Sequence, residues 1–221
     1  MRVAILGGTG DIGQGLALRL CYDTGHEVVV GSRDGERARA KAEEYETELS
    51  SRGIDRSVVG VENERAAEDA DVVLLAIPPE HVHDVVTAIG SGLPEDAIVV
   101  TPVVRMSRRD WGLRYDPPRE GSMTAVVAQN VPQSNPVVGA FHSLSADRLA
   151  NLDVTLDLDT MVIGDDTDAK GLVVDLVAEI EGLRPVDAGP LANAPAVESV
   201  TPLLITLGIH GAGHDLGVKF V

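Results

Sequence analysis

The first thirteen residues constrain this chain more than any other stretch. Val3 to Leu6 form a short apolar run, and Gly7-Gly8-Thr9-Gly10-Asp11-Ile12-Gly13 comes next without a spacer. Ile12, Leu16 and Leu20, with the small Ala17, then recur at helical spacing. Strand, glycine turn, helix start is the context in which Gly-x-Gly-x-x-Gly carries meaning. Gly8 is expected to make the tight turn, Gly10 to let the backbone approach a pyrophosphate, and Gly13 to let the helix pack close to the strand. The unpaired N–H groups of the new helix would then face phosphate. The alternative is a turn that needs glycine for backbone reasons alone.

The same alternation recurs down the chain. Glu27 to Val30 reads as a strand, Asp34 to Ser50 as a charged helix, Ser57 to Val61 as a strand and Asn63 to Ala70 as a short helix. Asp71 to Ile77 is apolar on every position after the first, the pattern of a strand buried on both faces. A helix from Glu80 to Ile89 and a strand from Ala97 to Val104 complete a β-α-β-α-β-α-β-α-β order. That order predicts an α/β fold, a doubly wound parallel (Rossmann) sheet with right-handed crossovers. Arg105 to Gly121 reads as a loop, Ser122 to Val131 as a helix and Pro136 to Phe141 as a strand. Later elements are a strand from Thr160 to Ile163, a helix from Asp168 to Glu181, a strand from Arg184 to Ala188 and a long apolar helix from Ala194 to about His210, kinked at Pro202. The texture divides the chain into a nucleotide domain, residues 1–139, and a small C-terminal α/β domain, residues 140–221, that closes over it.

Charge narrows the partners. The net charge is −17, from 35 acidic and 18 basic residues, and only Lys41, Lys170 and Lys219 are lysines. Such a surface repels nucleic acid and anionic membrane. It fits a high-salt cytoplasm, where self-repulsion is screened, or a merely acidic enzyme of ordinary salt. Cys21 alone excludes an intramolecular disulfide. No leader precedes the first strand and no apolar run is long enough to span a bilayer, so a cytoplasmic protein is expected. Asp153, Asp157, Asp159, Asp165, Asp166 and Asp168 crowd one region and read as a solvated surface rather than a cation site. His210 and His214 have metal-pair spacing without a third ligand, so no metal is expected. Against this background Arg105, Arg108, Arg109, Arg114 and Arg119 stand out: five of fifteen arginines within one short segment. They suit either a clamp on an anionic ligand or pairing with neighbouring acids.

The end of the second strand selects the cofactor. A carboxylate there would hold the ribose hydroxyl of NAD. Ser32 and Arg33 stand in its place, with Arg37 one turn into the next helix. A hydroxyl and two guanidinium groups suit a 2′-phosphate, so NADP is favoured. No catalytic signature accompanies the site. Tyr22, Tyr45 and Tyr115 have no lysine four residues on, and neither Gly-x-Ser-x-Gly nor His-Glu-x-x-His occurs. A nucleotide site without acid–base machinery fits hydride transfer between two cofactors, where the protein supplies alignment.

One series of motifs goes further. It comprises the glycine turn, Gly31-Ser32-Arg33, Ile77-Pro78-Pro79-Glu80-His81, Phe141-His142-Ser143-Leu144, Asn151-Leu152-Asp153, Gly182 to Leu191 and Val197-Glu198-Ser199-Val200-Thr201-Pro202-Leu203. Over essentially the whole chain it resembles the archaeal NADPH-dependent F420 reductases. The resemblance implies that NADP lies on the N-terminal sheet edge, with the deazaflavin coenzyme F420 stacked on it, and that hydride passes directly between them. It implies that Thr9, Gly10, Asp11 and Ile12 hold the pyrophosphate and Ser32, Arg33 and Arg37 the 2′-phosphate. Ile77, Pro78 and His81 would flank the cofactor at the end of the fourth strand, with Val104 after the fifth. His142, Ala146 and Leu216 would line the deazaflavin side, His142 as a donor to its pyrimidine end. Asp11 departs from that family's turn, which often carries an amide there. The rivals are an NADPH reductase of an imine, flavin or ferric chelate, and a non-catalytic NADP sensor. A homodimer sharing the late apolar helix is expected.

Overall fold

The apolar runs become strands whose side chains alternate between two cores. The computed structural model describes residues 1–221. Its first half is β1 (Arg2–Leu6), α1 (Asp11–Asp23), β2 (Glu27–Ser32), α2 (Gly35–Ser51), β3 (Val58–Glu62), α3 (Asn63–Ala67), β4 (Val72–Leu75), α4 (Val82–Gly90) and β5 (Ile98–Thr101). A hairpin, β6 (Met106–Arg109) and β7 (Gly112–Tyr115), precedes α5 (Met123–Asn130) and β8 (Val137–Gly139). Then come α6 (Ala146–Ala150), β9 (Leu158–Gly164), α7 (Thr167–Ala178), β10 (Leu183–Asp187) and α8 (Ala194–Ile209).

Eight strands form one sheet in the order β10-β9-β8-β5-β4-β1-β2-β3. The six from β8 to β3 are parallel; β9 runs antiparallel to β8, and β10 is parallel to β9. The C-terminal segment thus extends the nucleotide-binding sheet through β8. Val3, Ile5, Val28, Val30, Val72 and Leu74 face one core, shared with α1, α2 and α7. Ala4, Leu6, Val29, Val73 and Leu75 face the other, shared with α3, α4 and α5. A period of two in strands and helices on both sides give the three-layer sandwich.

The pairing register aligns the strand ends that matter. Leu6 is level with Gly31 and Leu75, Leu74 with Val100, and Thr101 with Gly139. The residues just beyond, Gly7, Ser32, Asn63, Ala76 and Ala140, therefore succeed one another along the carboxyl edge. The order reverses between β1 and β4, which is where an open α/β sheet binds its ligand.

Two expectations are corrected. Arg105 to Gly121 is not a plain loop: Met106 to Arg109 pairs antiparallel with Gly112 to Tyr115. Thr206 of α8 binds this hairpin, accepting from the Leu113 N–H at 2.9 Å and donating to the Leu113 carbonyl at 3.1 Å. His142 does not lie in a strand. It sits in the turn after β8, behind Phe141, whose φ of +66° is left-handed.

Candidate functional site

The glycine turn folds as its spacing requires, but the roles shift by one residue. Gly7, not Gly8, makes the tight turn, with φ at +77°. A Cβ on Gly7 would lie 2.3 Å from the Ala76 carbonyl oxygen, so only glycine fits. Gly8 is buried and its polar groups are engaged. Its N–H donates to the Ile5 and Gly31 carbonyls, both at 3.0 Å, and its carbonyl accepts from the buried Tyr45 hydroxyl at 2.7 Å. Gly13 serves close packing as expected, its Cβ position only 2.4 Å from the Gly7 carbonyl oxygen. The N–H groups of Thr9, Asp11, Ile12 and Gly13 have no protein acceptor. They are the free donors a phosphate would take.

A cavity of about 300 Å³ opens over this turn. Thr9, Gly10, Ser32, Arg33, Arg37, Ile77, Pro78 and His81 all line it, so the structure brings these expected residues together. Gly8, Asp11, Ile12, Gly13 and Val104 are not among its lining side chains. Asp11 is exposed in the first turn of α1, where a carboxylate is favoured by the helix dipole. Val104 is buried beyond the end of β5. Asp34, the one carboxylate at this strand end, is turned into the cap of α2, accepting from the Glu36 and Arg37 N–H groups at 2.9 and 3.2 Å. Arg33 and Arg37 have no acidic partner and lie exposed. Glycines that admit no Cβ, free N–H donors and two unpaired guanidiniums fit a dinucleotide with a 2′-phosphate. Sequence reading missed Asn63, whose buried Oδ1 accepts from the Gly7 N–H at 3.3 Å and which lines the cavity. Its signal was its position directly after β3, whose last residue, Glu62, is level with Ser32.

A second cavity, about 470 Å³, lies where the chain leaves β8. Leu144, Ala146, Leu204, Ile205 and Leu216 give it apolar walls, suited to a flat aromatic ring system. Ala146 and Leu216 were expected there. His142 is buried behind it and does not line it, while its neighbour Ser143 does. The His142 Nδ1 and the Ser143 Oγ are both buried without a protein partner. Burial pushes the His142 pKa down to about 4, so the ring is neutral near pH 7.

The two cavities are linked through α1 and α6: α1 starts at the glycine turn, and Ala146 of α6 lines the second cavity. A Cβ on Gly15 would sit 2.5 Å from the Leu149 Cβ, so α1 and α6 are in close contact. Arg19, 2% exposed, clamps them: its Nε donates to the Leu149 carbonyl at 2.9 Å and its Nη2 to those of Asn151 and Val154 at 2.6 and 2.8 Å.

The acidic stretch is structural. Asp153 forms a forked pair with Arg52, Asp157 pairs with Lys219, and Asp166 caps α7. Asp159 fastens the C-terminal segment that carries Leu216. It accepts from Arg184 Nε and Nη2 at 2.7 and 2.6 Å and from the Phe220 N–H at 2.6 Å. The Arg184 guanidinium holds its carboxyl well below the usual range, at about 2, and the Phe220 N–H adds to this. A depressed carboxylate pKa stabilises the fold above the unfolded value near 3.8 and loses that effect as pH falls toward about 2. Hydrogen-exchange protection of the Phe220 N–H, and of the residue 159 N–H that donates to the Val218 carbonyl at 2.7 Å, should therefore drop across that window. In Asp159→Asn it should be low throughout; unchanged protection in the variant would remove this role.

A doubly wound sheet with a glycine turn at its switch point and a basic strand end defines a dinucleotide-binding protein of the Rossmann class. Comparison with known proteins narrows the class. The family model described as NADP oxidoreductase coenzyme F420-dependent matches residues 2–105. An F420-dependent NADP reductase of Methanocaldococcus jannaschii is 38% identical, over 99% of this chain and 97% of that protein. One from Methanothermobacter thermautotrophicus is 36% identical, over 99% of this chain and 94% of that protein. Among solved structures, one from Arthrobacter sp. FB24 described as an F420-dependent NADP-reductase matches with a TM-score of 0.81 at 23% identity, over 100% of this chain and 99% of that one. The NADP-bound pyrroline carboxylate reductase of Plasmodium falciparum matches at 0.55 and 12% identity, over 95% of this chain and 70% of that one. Both bear out the α/β fold. The chain belongs to the F420-dependent NADP reductase family of oxidoreductases.

Proposed function

We propose that this chain transfers hydride between NADP(H) and coenzyme F420. The observation that carries the reading is the pair of cavities beyond the carboxyl ends of the parallel strands, one over the glycine turn and basic, one apolar after β8. The bound cofactors supply the hydride donor and acceptor; the protein supplies alignment. The Thr9, Asp11, Ile12 and Gly13 N–H groups hold the pyrophosphate and Gly8 supports the turn beneath it. Gly10 gives close approach, and Ser32, Arg33 and Arg37 hold the 2′-phosphate. Ile77, Pro78 and His81 border the nicotinamide, with Val104 behind. Ala146 and Leu216 sandwich the deazaflavin, and His142 addresses its pyrimidine end. The division near residue 139 separates the nucleotide-holding part from the part that completes the acceptor pocket.

Mixing the protein with NADPH and F420 in high salt should bleach the deazaflavin absorbance with matched NADPH oxidation. Oxidation of NADPH by an imine, flavin or ferric chelate but not by F420 would replace this reading. So would tight NADP binding without turnover of any acceptor.

The surface supports finer points. The net charge of −17 with three lysines supports an archaeal cytoplasm of high salt. Leu203 and Leu207, one turn apart on α8, and Trp111 are exposed, which supports a homodimer covering that face. Arg108, Arg109 and Ile209 line a third cavity, and Ile209 also lines the acceptor pocket. Arg108 and Arg109 pair with no acid, whereas Arg105 pairs with Asp116 at 3.1 Å. They suit the anionic tail of F420. The double change to alanine should raise the F420 KM roughly tenfold, the worth of about one charged hydrogen bond. It should leave the tail-less deazaflavin chromophore unaffected; an equal effect on both would exclude the tail contact.

A further inference from the structure

Glu198 is fully buried in α8, between two backbone N–H groups and two hydroxyls. It accepts from the Met123 and Thr124 N–H groups, each at 2.9 Å, from the Thr124 hydroxyl at 2.8 Å and from the Tyr115 hydroxyl at 2.9 Å. Burial raises its pKa, while these bonds, the backbone N–H groups foremost, pull it back down. Oε1 takes both the N–H and the hydroxyl proton of Thr124, while on the Oε2 side the Tyr115 hydroxyl has a second acceptor, the Gly121 carbonyl at 3.0 Å. An acid proton on Oε2 is taken by the Tyr115 oxygen when Tyr115 donates to Gly121, so in either protonation state Oε1 remains the acceptor for Thr124.

This fixes the next link. The Thr124 hydroxyl has one proton and gives it to Glu198 Oε1. What it turns toward His142 Nε2, 3.5 Å away, is a lone pair. An unprotonated Nε2 would set two lone pairs against each other in a buried space, so the proton of the neutral ring belongs on Nε2. Nδ1 is then a bare acceptor, not the donor that the sequence suggested. It has no protein partner, and neither has the adjacent Ser143 hydroxyl at the pocket wall. An acceptor beside a hydroxyl donor complements an N–H beside a carbonyl, which is the imide edge of a pyrimidine ring.

We propose that Glu198 is a positioning residue: through Thr124 it holds His142 as the Nε2-protonated tautomer, so that Nδ1 offers its lone pair to the imide N–H of the acceptor's ring. The ligand half of this rests on the deazaflavin reading of the pocket; the tautomer half stands on the protein alone.

The test is nitrogen NMR of protein labelled at its histidines. In wild type without ligand, His142 should show a protonated Nε2 and a pyridine-like Nδ1. Adding the tail-less deazaflavin should shift Nδ1 in the direction of an accepted hydrogen bond. Thr124→Val keeps the two backbone bonds to Glu198 and removes the hydroxyl, so it should yield mixed tautomers. It should also raise the deazaflavin KM about tenfold, as for one lost hydrogen bond, with the NADPH KM unchanged. Thr124→Ser should restore both readings. Glu198→Gln should mix the tautomers as well, provided its melting curve shows a folded protein. A wild-type ring protonated on Nδ1, or a Thr124→Val protein with the wild-type tautomer, would overturn the relay. An intact relay in a protein that reduces no F420 would overturn the deazaflavin reading and leave the tautomer assignment standing.

Discussion

Replacing Arg33 with alanine should raise the KM for NADPH about ten- to a hundredfold, the range of a charge-assisted hydrogen bond, and leave NADH nearly unchanged. Arg33 is exposed, makes no hydrogen bond within the protein and pairs with no acid. Its removal therefore carries little structural penalty and acts on the ligand alone. The selectivity arises because two guanidiniums outnumber the one local carboxylate, Asp34, which lines the same cavity but has one oxygen engaged in a helix cap. Asp34 caps α2 through its Oδ1, and its own N–H donates to the Ser32 hydroxyl at 3.2 Å. Arg37 should show the same sign with a smaller effect, since it reaches the group from one turn into the helix. Raising the salt should narrow the NADPH difference, because both guanidiniums are open to solvent. Initial rates with each nucleotide at saturating acceptor decide the matter, and an equal loss for NADPH and NADH would remove the 2′-phosphate reading.

What the chain declares in its order of residues is mostly what burial on two faces enforces. Val72 to Leu75 could be read as an internal strand because no polar side chain interrupts it, and the structure pairs it on both sides, with β1 and β5. The glycine turn was legible as a unit. The assignment of φ > 0 to Gly7 depended on the neighbouring Ala76 carbonyl, which no local pattern reveals. The hairpin was hidden for a similar reason. Its strands are four residues each, polar on the open side, and docked on α8 by Thr206, ninety-three residues away in sequence. α6 was missed because five residues cannot sustain a helical period; Arg19 holds it in place from α1. The acceptor pocket was reachable only by resemblance. His142 and Glu198 come from different ends of the fold, and a single threonine joins them.

Gly13→Ala should damage both cavities at once, which no single contact residue can do. The added Cβ would sit 2.4 Å from the Gly7 carbonyl oxygen and 2.7 Å from the Gly8 Cα. Both obstacles are backbone. The turn is held in place, because the Gly7 N–H is bound to Asn63, the Gly8 N–H to the Ile5 and Gly31 carbonyls, and the Gly8 carbonyl to Tyr45. The helix must move instead. Yet α1 is held at Gly15 against Leu149 and by Arg19 on the carbonyls of Leu149, Asn151 and Val154. Its displacement is passed to α6, and so to Ala146 in the acceptor pocket. Overpacking of this kind costs about 1–3 kcal/mol, a fall in Tm of roughly 2–12 °C for a chain of this size. The KM values for NADPH and NADH should rise together, at least about tenfold, since the two nucleotides share the pyrophosphate and differ only in the 2′-phosphate. That joint rise separates this change from Arg33→Ala. The F420 KM should rise as well. Gly25→Ala, with nothing within 4 Å of its Cβ position, should leave all of these unchanged. A Gly13→Ala protein that binds both nucleotides as the wild type does would show that the helix start has room it does not display, and the phosphate cradle would have to be drawn elsewhere.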